Sequence, residues 1–522
     1  MSQNNRIIGA TILLMGVAFL SKIIGFVREV FIAAQFGISQ QADIFVTVSK
    51  IPTLVLTISG GALAAALVPL LIKLRTEHDE SRLNKLTGRM FTLTGLLMLG
   101  FALLLGFFAK QFVDVYVLGF NDEAKALTVQ LIRIILPAIV AIGLISLFAA
   151  VLNAHHHFFV PSLGPLFYSA GVIIATIFFS ARYGVKSLVI GMVIGFLLQL
   201  LVILAQVIKQ GVVIKPLLGI DEDIKQVGKL ILPILIGVGA FQVNTIVDQM
   251  MASTLVEGSL AALNYANRIT QLPLSIFVGS MVLPLLPAIA EKIAAKDLAG
   301  TVQLLSKSHR LLGILLLPVI GLFVGLGEPL ITMVFQRGEF DVQATQTTSL
   351  ALAFYAFTIL PFAMRDVMTR ALYSLQDTWT PVVNSILLVA VNVILMLIFV
   401  PRFGMIAIAG STSISSIFGY WRLRSKLNKK LAIQSKKAEG IIWLKIWFNA
   451  ILFTIVSWGS YQLLYLIWQN PTGLELWLRT LISLSLGAGL YIYLVLRLKT
   501  SEVTWIKERI TRGKFLTKKG SD

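Results

Sequence analysis

The chain of 522 residues contains no cysteine, which excludes disulfide bridges and thiolate metal sites. Charged side chains are also scarce, because aspartate, glutamate, lysine and arginine together make up 13% of the chain. Soluble globular proteins carry about 25% of these residues, most of them on the surface. The shortage of charge therefore excludes an ordinary soluble enzyme.

Hydrophobic residues make up 57% of the chain, and the mean hydropathy is +0.86. Apolar runs of about 20 residues, the length that crosses a bilayer as a helix, recur from end to end. The sequence predicts an all-α polytopic membrane protein whose first apolar run is retained as a span and is not a signal peptide. We count fourteen spans, at about residues 7–35, 42–72, 88–109, 126–152, 161–181, 187–208, 226–253, 258–290, 309–328, 343–373, 380–401, 404–423, 441–467 and 476–498.

Acidic residues are the scarcer charged group, with 25 against 44 basic residues and a net charge of +19. The basic residues cluster after even-numbered spans and in the C-terminal tail, whereas loops on the other side, such as 37–41, are nearly bare. The positive-inside rule then places both termini in the cytoplasm. The same excess predicts contact with anionic membrane lipids and not with nucleic acid. The cluster after span two consists of Lys73, Arg75, Arg82, Lys85 and Arg89.

An internal repeat relates residues that lie roughly 220 positions apart. Because six spans separate the copies, both have the same orientation, which predicts a binding site between two halves near mid-membrane. We expect an N-terminal lobe at 1–215 (spans 1–6), a C-terminal lobe at 216–428 (spans 7–12), and spans 13–14 with a basic cytoplasmic tail at 429–522. The matching pairs are Pro52 with Pro273, Gly100 with Gly321, Val151–Ala154 with Ala371–Ser374, and Pro161 with Pro381.

The first span contains a polar stretch, Ser21–Glu29, within an apolar run. At about 100° per residue, its charged and small residues fall in one arc, and Ile23, Ile24, Phe26 and Val27 lie on the opposite side. A charge at bilayer depth costs about 2.5–3.5 kcal/mol on insertion scales. Such an arc therefore faces either a hydrated cavity or a salt-bridged seam between helices.

Spans two, seven and eight carry similar polar faces, and basic residues outnumber acidic ones among them. Guanidinium groups suit phosphate or carboxylate oxygens, so the pattern predicts a cradle for an anion such as a pyrophosphate. Mutual pairing, of Lys22 with Asp43 or of Arg268 with Asp248, is the alternative. The residues assigned to substrate binding are Ser21, Lys22, Gly25, Arg28, Glu29, Asp43, Lys50, Asn267, Arg268 and Gln271.

A second interpretation concerns Asp248, which together with Asn244 and Thr245 could supply oxygen ligands for a monovalent cation. Helix packing is the competing interpretation for these residues. The sequence predicts no cofactor beyond this coupling by Na⁺ or by the membrane potential, and we expect a monomer.

Two other functional classes compete with transport of an anion. A small-molecule or cation antiporter should carry a net excess of carboxylates in its cavity, and here bases dominate. A membrane glycosyltransferase needs paired carboxylates at the membrane surface. The outer loops offer only scattered Asp114, Asp122 and Glu123, without a paired motif.

Several motifs resemble the MurJ (MviN) family of lipid II flippases in the MOP exporter superfamily. The resemblance spans the first eleven predicted spans and is specific as a set. The motifs are Ser21–Glu29, Phe36–Gly37, Ala42–Asp43, Lys50–Pro52, Gly61–Ala62, Val68–Pro69, Tyr265–Arg268, Leu283–Pro284, Phe335–Phe340, and Tyr373–Ser374 with Asp377, Thr380 and Pro381.

This resemblance implies a bacterial plasma-membrane flippase that moves the undecaprenyl-pyrophosphate-linked peptidoglycan precursor, lipid II, from the inner to the outer leaflet. It implies alternating access of two six-helix lobes, with the lipid tail in a groove lined by the last two spans. Arg28 and Arg268 match family arginines assigned to the pyrophosphate, and Lys22 stands where arginine is more usual. Asn267 and Gln271 replace acidic residues of some members, which leaves another polyprenyl-linked glycan open as the substrate.

Overall fold

The computed structural model describes residues 3–431, 437–468, 473–498, 500 and 502–504. Over these residues the chain is helical apart from turns and short connections, with no strand. The fourteen predicted spans all fall on helices, and three short helices, α4, α6 and α13, were not predicted. The helices are α1 Gln3–Phe36, α2 Gln40–Thr76, α3 Glu80–Phe107, α4 Ala109–Tyr116, α5 Asp122–Ala154, α6 Phe159–Ser162, α7 Gly164–Tyr183, α8 Val185–Lys209, α9 Glu222–Ser253, α10 Ser259–Pro273, α11 Gly279–Ala294, α12 Leu298–Gly325, α13 Gly327–Phe335, α14 Val342–Ala356, α15 Ile359–Ser374, α16 Trp379–Phe403, α17 Met405–Lys430, α18 Lys437–Ile467 and α19 Gly473–Leu496.

Among the described residues, ten helical segments are long and apolar enough to cross a membrane. The predicted count of fourteen therefore stays a prediction. Two of the other predicted spans have a local feature that explains why they are not long and apolar enough to be counted. Span eight is split into α10 and α11 by a turn of π-helix, Leu274–Val278, that follows Pro273. The α17 helix is continuous, but the hydroxyl side chains between Ser411 and Ser416 lower its hydropathy.

The chain folds into two compact units. The first consists of residues 1–261 with 337–341, and the second of residues 262–336 with 342–522. In the first unit the core is built around α5, which packs against α2, α3 and α8. The first unit extends past residue 215 because α9 packs along α2. The lobes at 1–215 and 216–428 were defined from the repeat, and their boundaries stay a prediction.

The second unit is held together by three pairs of long helices, α16 with α17, α18 with α19, and α12 with α18. Its two last helices, α18 and α19, form a hairpin that packs on α12 through buried residues such as Phe453 and Tyr491. The Tyr491 hydroxyl donates a hydrogen bond of 2.7 Å to the Ile314 carbonyl of α12. Spans 13 and 14 are therefore an integral part of this unit. The basic tail beyond Thr504 lies outside the described residues.

The repeat is visible in local geometry at matching positions of the two copies. Asp79 caps α3 by accepting a hydrogen bond from the Arg82 amide at 2.9 Å, and Asp297 caps α12 from the Gly300 amide at 2.7 Å. The residue before each cap has the same positive φ of 57°. Further matched positive-φ residues include His156 with Gln376 and Gly184 with Gly404.

Residues 337–341 dock onto the end of α1. The Glu339 amide donates a hydrogen bond of 2.8 Å to the Ala34 carbonyl, and Phe340 is buried. Gly338 has a φ of +58°, and a Cβ there would collide with the Ala34 carbonyl oxygen. Only glycine fits this left-handed position so close to the helix. The docked loop fixes the end of the helix that carries the Ser21–Glu29 stretch.

Candidate substrate-binding site

The polar stretch of α1 is oriented largely as the sequence predicted, with most of its polar side turned towards the interior of the protein. Arg28 and Glu29 are each only 4% exposed, whereas Ile23 and Val27 on the opposite side are exposed at 43% and 38%. Ser21 is buried, and its hydroxyl finds no hydrogen-bond partner among the described residues. The buried side of α1 thus places its charges inside the protein, where a charge needs compensation from neighbouring polar groups.

Arg28 occupies a small polar cluster between α1 and α7. Its guanidinium lies 2.5 Å from the Glu29 carboxylate, donates to the Ser169 hydroxyl at 3.3 Å, and lies 4.3 Å from the centre of the Tyr168 ring. Among the residues that the structure describes, the buried Nε atom of Arg28 has no hydrogen-bond partner. The charge is therefore compensated while one N–H of the guanidinium remains available to an incoming acceptor.

Lys22 and Gly25, which also lie on α1 and were assigned to substrate binding, differ from Arg28 in their surroundings. Lys22 is exposed, and the predicted ion pair between Lys22 and Asp43 is not formed. Gly25 is half-buried, and a Cβ at this position would meet nothing within 4 Å. The helix surface next to Arg28 is therefore open at Gly25 and carries a further positive charge at Lys22.

Asp43 lies in the first turn of α2 and is 3% exposed. Its two carboxylate oxygens accept hydrogen bonds from the backbone amides of Gly258 and Ala261, each at 2.7 Å. Gly258 has a φ of +85°, and a Cβ there would collide with the Ile38 carbonyl oxygen. Asp43 thus caps the start of α10 and ties it to α2, a role that its position in the sequence did not indicate.

Lys50 belongs to a hydrogen-bonded chain between α2 and α9. Its ammonium donates to the Gln249 side-chain oxygen at 2.5 Å, and the Gln249 amide donates to the Thr47 hydroxyl at 2.7 Å. Thr47 and Gln249 are fully buried, and Lys50 is half-buried. The contact joins Lys50 of α2 to a neutral amide of α9.

The three residues of α10 that were assigned to substrate binding lie in the second unit. Asn267, Arg268 and Gln271 are exposed, whereas their neighbours Tyr265 and Ala266 are fully buried. The Gln271 side-chain amide donates to the Asn267 side-chain oxygen at 3.4 Å. The polar stripe predicted for this helix is thus a surface of the second unit, with its one guanidinium at Arg268.

The candidate cation site on α9 is half-buried at Asp248, Asn244 and Thr245. The Asn244 amide nitrogen donates to the Asp248 carboxylate at 3.0 Å. Across the described part of the chain, no group of three or more His, Cys, Asp or Glu side chains is placed to hold a metal ion. A monovalent cation site with a single carboxylate is a different arrangement, so it stays a prediction.

Tyr168 and Ser169 are functional candidates that sequence reasoning missed. Both lie on α7 within an apolar segment, and Ser169 is 1% exposed. The sequence shows two polar residues within an apolar span, which could have marked them as candidates. It does not show that they contact Arg28, which lies 141 residues from Ser169.

Helical spans that repeat along the chain, with basic side chains buried inside them, define the class of protein as a polytopic membrane transporter. The fold is similar to a solved multidrug resistance MATE transporter of the MOP superfamily in an inward-facing conformation, with a TM-score of 0.68 and 12% identity over 81% of this chain and 99% of that one. At this identity, the similarity concerns the fold alone.

The particular family follows from closer matches. Residues 32–476 match the family described as lipid II flippase MurJ, so the chain belongs to that family. A Vibrio cholerae protein named probable lipid II flippase MurJ is 28% identical, covering 95% of this chain and 97% of that protein. A Rickettsia prowazekii protein of the same name is 27% identical over 85% of this chain and 88% of its own. A solved structure of lipid II flippase MurJ in an inward closed conformation has a TM-score of 0.80 and 26% identity, covering 96% of this chain and all of that one.

Proposed function

We propose that this protein is a lipid II flippase, which moves the undecaprenyl-pyrophosphate-linked peptidoglycan precursor from the inner to the outer leaflet by alternating access. Membership of a transporter family, and not of an enzyme family, supports the reaction class. The single structural observation that carries the proposal is Arg28, a buried guanidinium whose Nε lacks a partner in a membrane-spanning helix.

The chemistry of a pyrophosphate suits the charges of these helices. A diphosphate presents several oxygens and more than one negative charge, and an arginine binds such oxygens with two parallel N–H groups. Lys22 and Lys50 add positive charge on the first unit, and Arg268 adds it on the second. The Arg28–Glu29 ion pair holds the guanidinium in place when no substrate is bound.

The membrane placement in this proposal is the bacterial plasma membrane, with both termini in the cytoplasm. The support is the distribution of basic residues, since the loops after even-numbered predicted spans carry most of them. Anionic lipids contact these loops, and the protein acts as a monomer. Transport is driven by the membrane potential or by Na⁺ at Asp248, Asn244 and Thr245.

The test is a strain in which this chain is the only flippase and its synthesis can be stopped. The lipid-linked precursors on the outer leaflet are labelled with a membrane-impermeant reagent before and after depletion. We expect lipid II to disappear from the outer leaflet and accumulate inside, and restored synthesis to reverse this. Unchanged outer-leaflet lipid II, or the trapping of a different polyprenyl-linked glycan, would overturn the assignment.

A further inference from the structure

A cavity of about 240 Å³ lies inside the second unit, where α12 begins, α17 ends and α18 begins. It is separate from every residue assigned to lipid II. The side chains that matter for its chemistry are His309, Arg424, Asn428, Glu439, Trp421 and Trp443. The cavity therefore combines one basic group, one acidic group, an imidazole and two aromatic walls.

The walls of this cavity are fixed by packing and by ion pairs. The Trp443 ring covers Gly313, where an added Cβ would lie 2.7 Å from the ring. Arg310 binds Glu502 at 2.8 Å and lies 3.7 Å from the Glu439 carboxylate. The start of α18 is thereby held against α12, and the Glu439 carboxylate keeps a defined position at the cavity.

His309 brings an unused hydrogen-bond acceptor to the cavity. The ring is hydrogen-bonded to the backbone of Met364, while Nε2 is buried and has no partner within the described part of the chain. A ring whose Nδ1–H donates to a carbonyl presents a lone pair at Nε2 when it is neutral. A buried acceptor of this kind is satisfied only by a donor.

Arg424 provides hydrogen-bond donors, whereas His309 provides an acceptor. Its guanidinium donates to the Tyr420 hydroxyl at 2.7 Å and lies 5.5 Å from the centre of the Trp421 ring. This stacking orients the guanidinium, and its remaining N–H groups are donors for anionic oxygens. The cavity thus offers anion recognition at Arg424 and cation recognition at His309 and Glu439.

We propose that this cavity binds a zwitterionic aminophosphate headgroup, as found in phosphatidylethanolamine. The phosphate lies against Arg424, and the primary ammonium donates to His309 Nε2 and the Glu439 carboxylate. A simple anion would leave the His309 acceptor unsatisfied, and a choline headgroup has no N–H to donate. At about 30 Å³ per water molecule, the cavity has the volume of roughly eight waters, which leaves room for a phosphoethanolamine headgroup.

The experiment is native mass spectrometry of the full-length protein in detergent, titrated with dihexanoyl forms of phosphatidylethanolamine, phosphatidylcholine and phosphatidylglycerol. Glycerophosphoethanolamine and inorganic phosphate are added in separate arms, which distinguish a lipid from a free aminophosphate or phosphate. We expect one saturable site for phosphatidylethanolamine, with about tenfold weaker binding of the other two lipids.

Three variants locate the site. Arg424→Gln, Glu439→Gln and His309→Leu should each weaken phosphatidylethanolamine binding by about tenfold. The matched control is Arg422→Gln on the same helix, whose side chain donates to Asn384 and does not line the cavity, and which should bind as the wild type does. His309→Leu also removes the preference for phosphatidylethanolamine over phosphatidylcholine. Equal binding of all three lipids, or unchanged binding in Arg424→Gln and Glu439→Gln, would overturn the proposal.

Discussion

Arg28 and Glu29 form a 2.5 Å ion pair although they are consecutive on α1, and both side chains are almost fully buried. Removing one partner of a buried pair leaves an uncompensated charge and typically costs about 3–5 kcal/mol. A pair of neutral residues of similar shape avoids that cost. The two effects make it possible to separate folding from transport at this site.

For Arg28→Met we expect a loss of folding stability of about 3–5 kcal/mol together with a loss of lipid II export. The double variant Arg28→Met/Glu29→Gln should recover most of the stability and none of the export. Unfolding in detergent and outer-leaflet lipid II are the two measurements. Arg182→Ala, which removes another arginine–tyrosine contact at the end of α7, is the control and should retain export. A double variant that exports lipid II normally would contradict the role of Arg28.

Asp43 provides a prediction about stability. Asp43→Ala leaves the amides of Gly258 and Ala261 without their acceptor, at about 1–3 kcal/mol for each buried group. Asp43→Asn keeps one oxygen acceptor and should lose less. Thermal unfolding of the purified protein measures both. Asp297→Ala is the matched control, because it removes a helix cap that is exposed and should therefore cost less. Equal losses in Asp43→Ala and Asp297→Ala would show that the double hydrogen bond is not stabilising.

The Asp377–Lys430 ion pair, 2.6 Å long, predicts a pH dependence in the connection between α15 and α16. Burial raises the pKa of Asp377, but hydrogen bonds from Lys430 and Thr380 outweigh it and lower the pKa to about 2. An unfolded aspartate titrates near pH 3.9, so the contribution is complete above about pH 4 and is lost as the pH falls towards 2.

The measurement is the difference in unfolding midpoint between the wild type and Asp377→Asn at pH 7, 5 and 3. We expect the wild type to be more stable at pH 7 and 5 by a constant amount, and the difference to shrink at pH 3. Asp366→Asn, which removes a more exposed ion pair to Arg370, should show a smaller difference throughout. A difference at Asp377 that does not change with pH would contradict the lowered pKa.

The helices were largely predictable from sequence, because a span requires a long apolar run whatever its neighbours are. The predicted span at 126–152 lies within α5. The helical periodicity of α1 correctly placed Arg28 on the side opposite to Ile23 and Val27. The break at Pro273 was harder to predict, since proline within a span can kink or end a helix. The structure resolves it as a turn of π-helix.

The contacts of the site were not predictable in the same way. Asp43 was assigned to the substrate cradle, and it binds two backbone amides more than 200 residues away. The partners of Arg28 on α7 depend on how two distant helices pack, which a periodic pattern on one helix does not contain. Chemical type and helical face are local properties, whereas a partner is a property of the tertiary fold.

The most direct test of the central claim is binding of lipid II to the purified protein. The claim is that Arg28 binds the pyrophosphate and that Arg268 adds positive charge, so Arg28→Met/Glu29→Gln and Arg268→Gln should each weaken binding by at least about tenfold. A polyprenyl monophosphate, which has fewer anionic oxygens, should lose less affinity in the same variants. Wild-type affinity for lipid II in both variants, with the protein folded, would contradict the account.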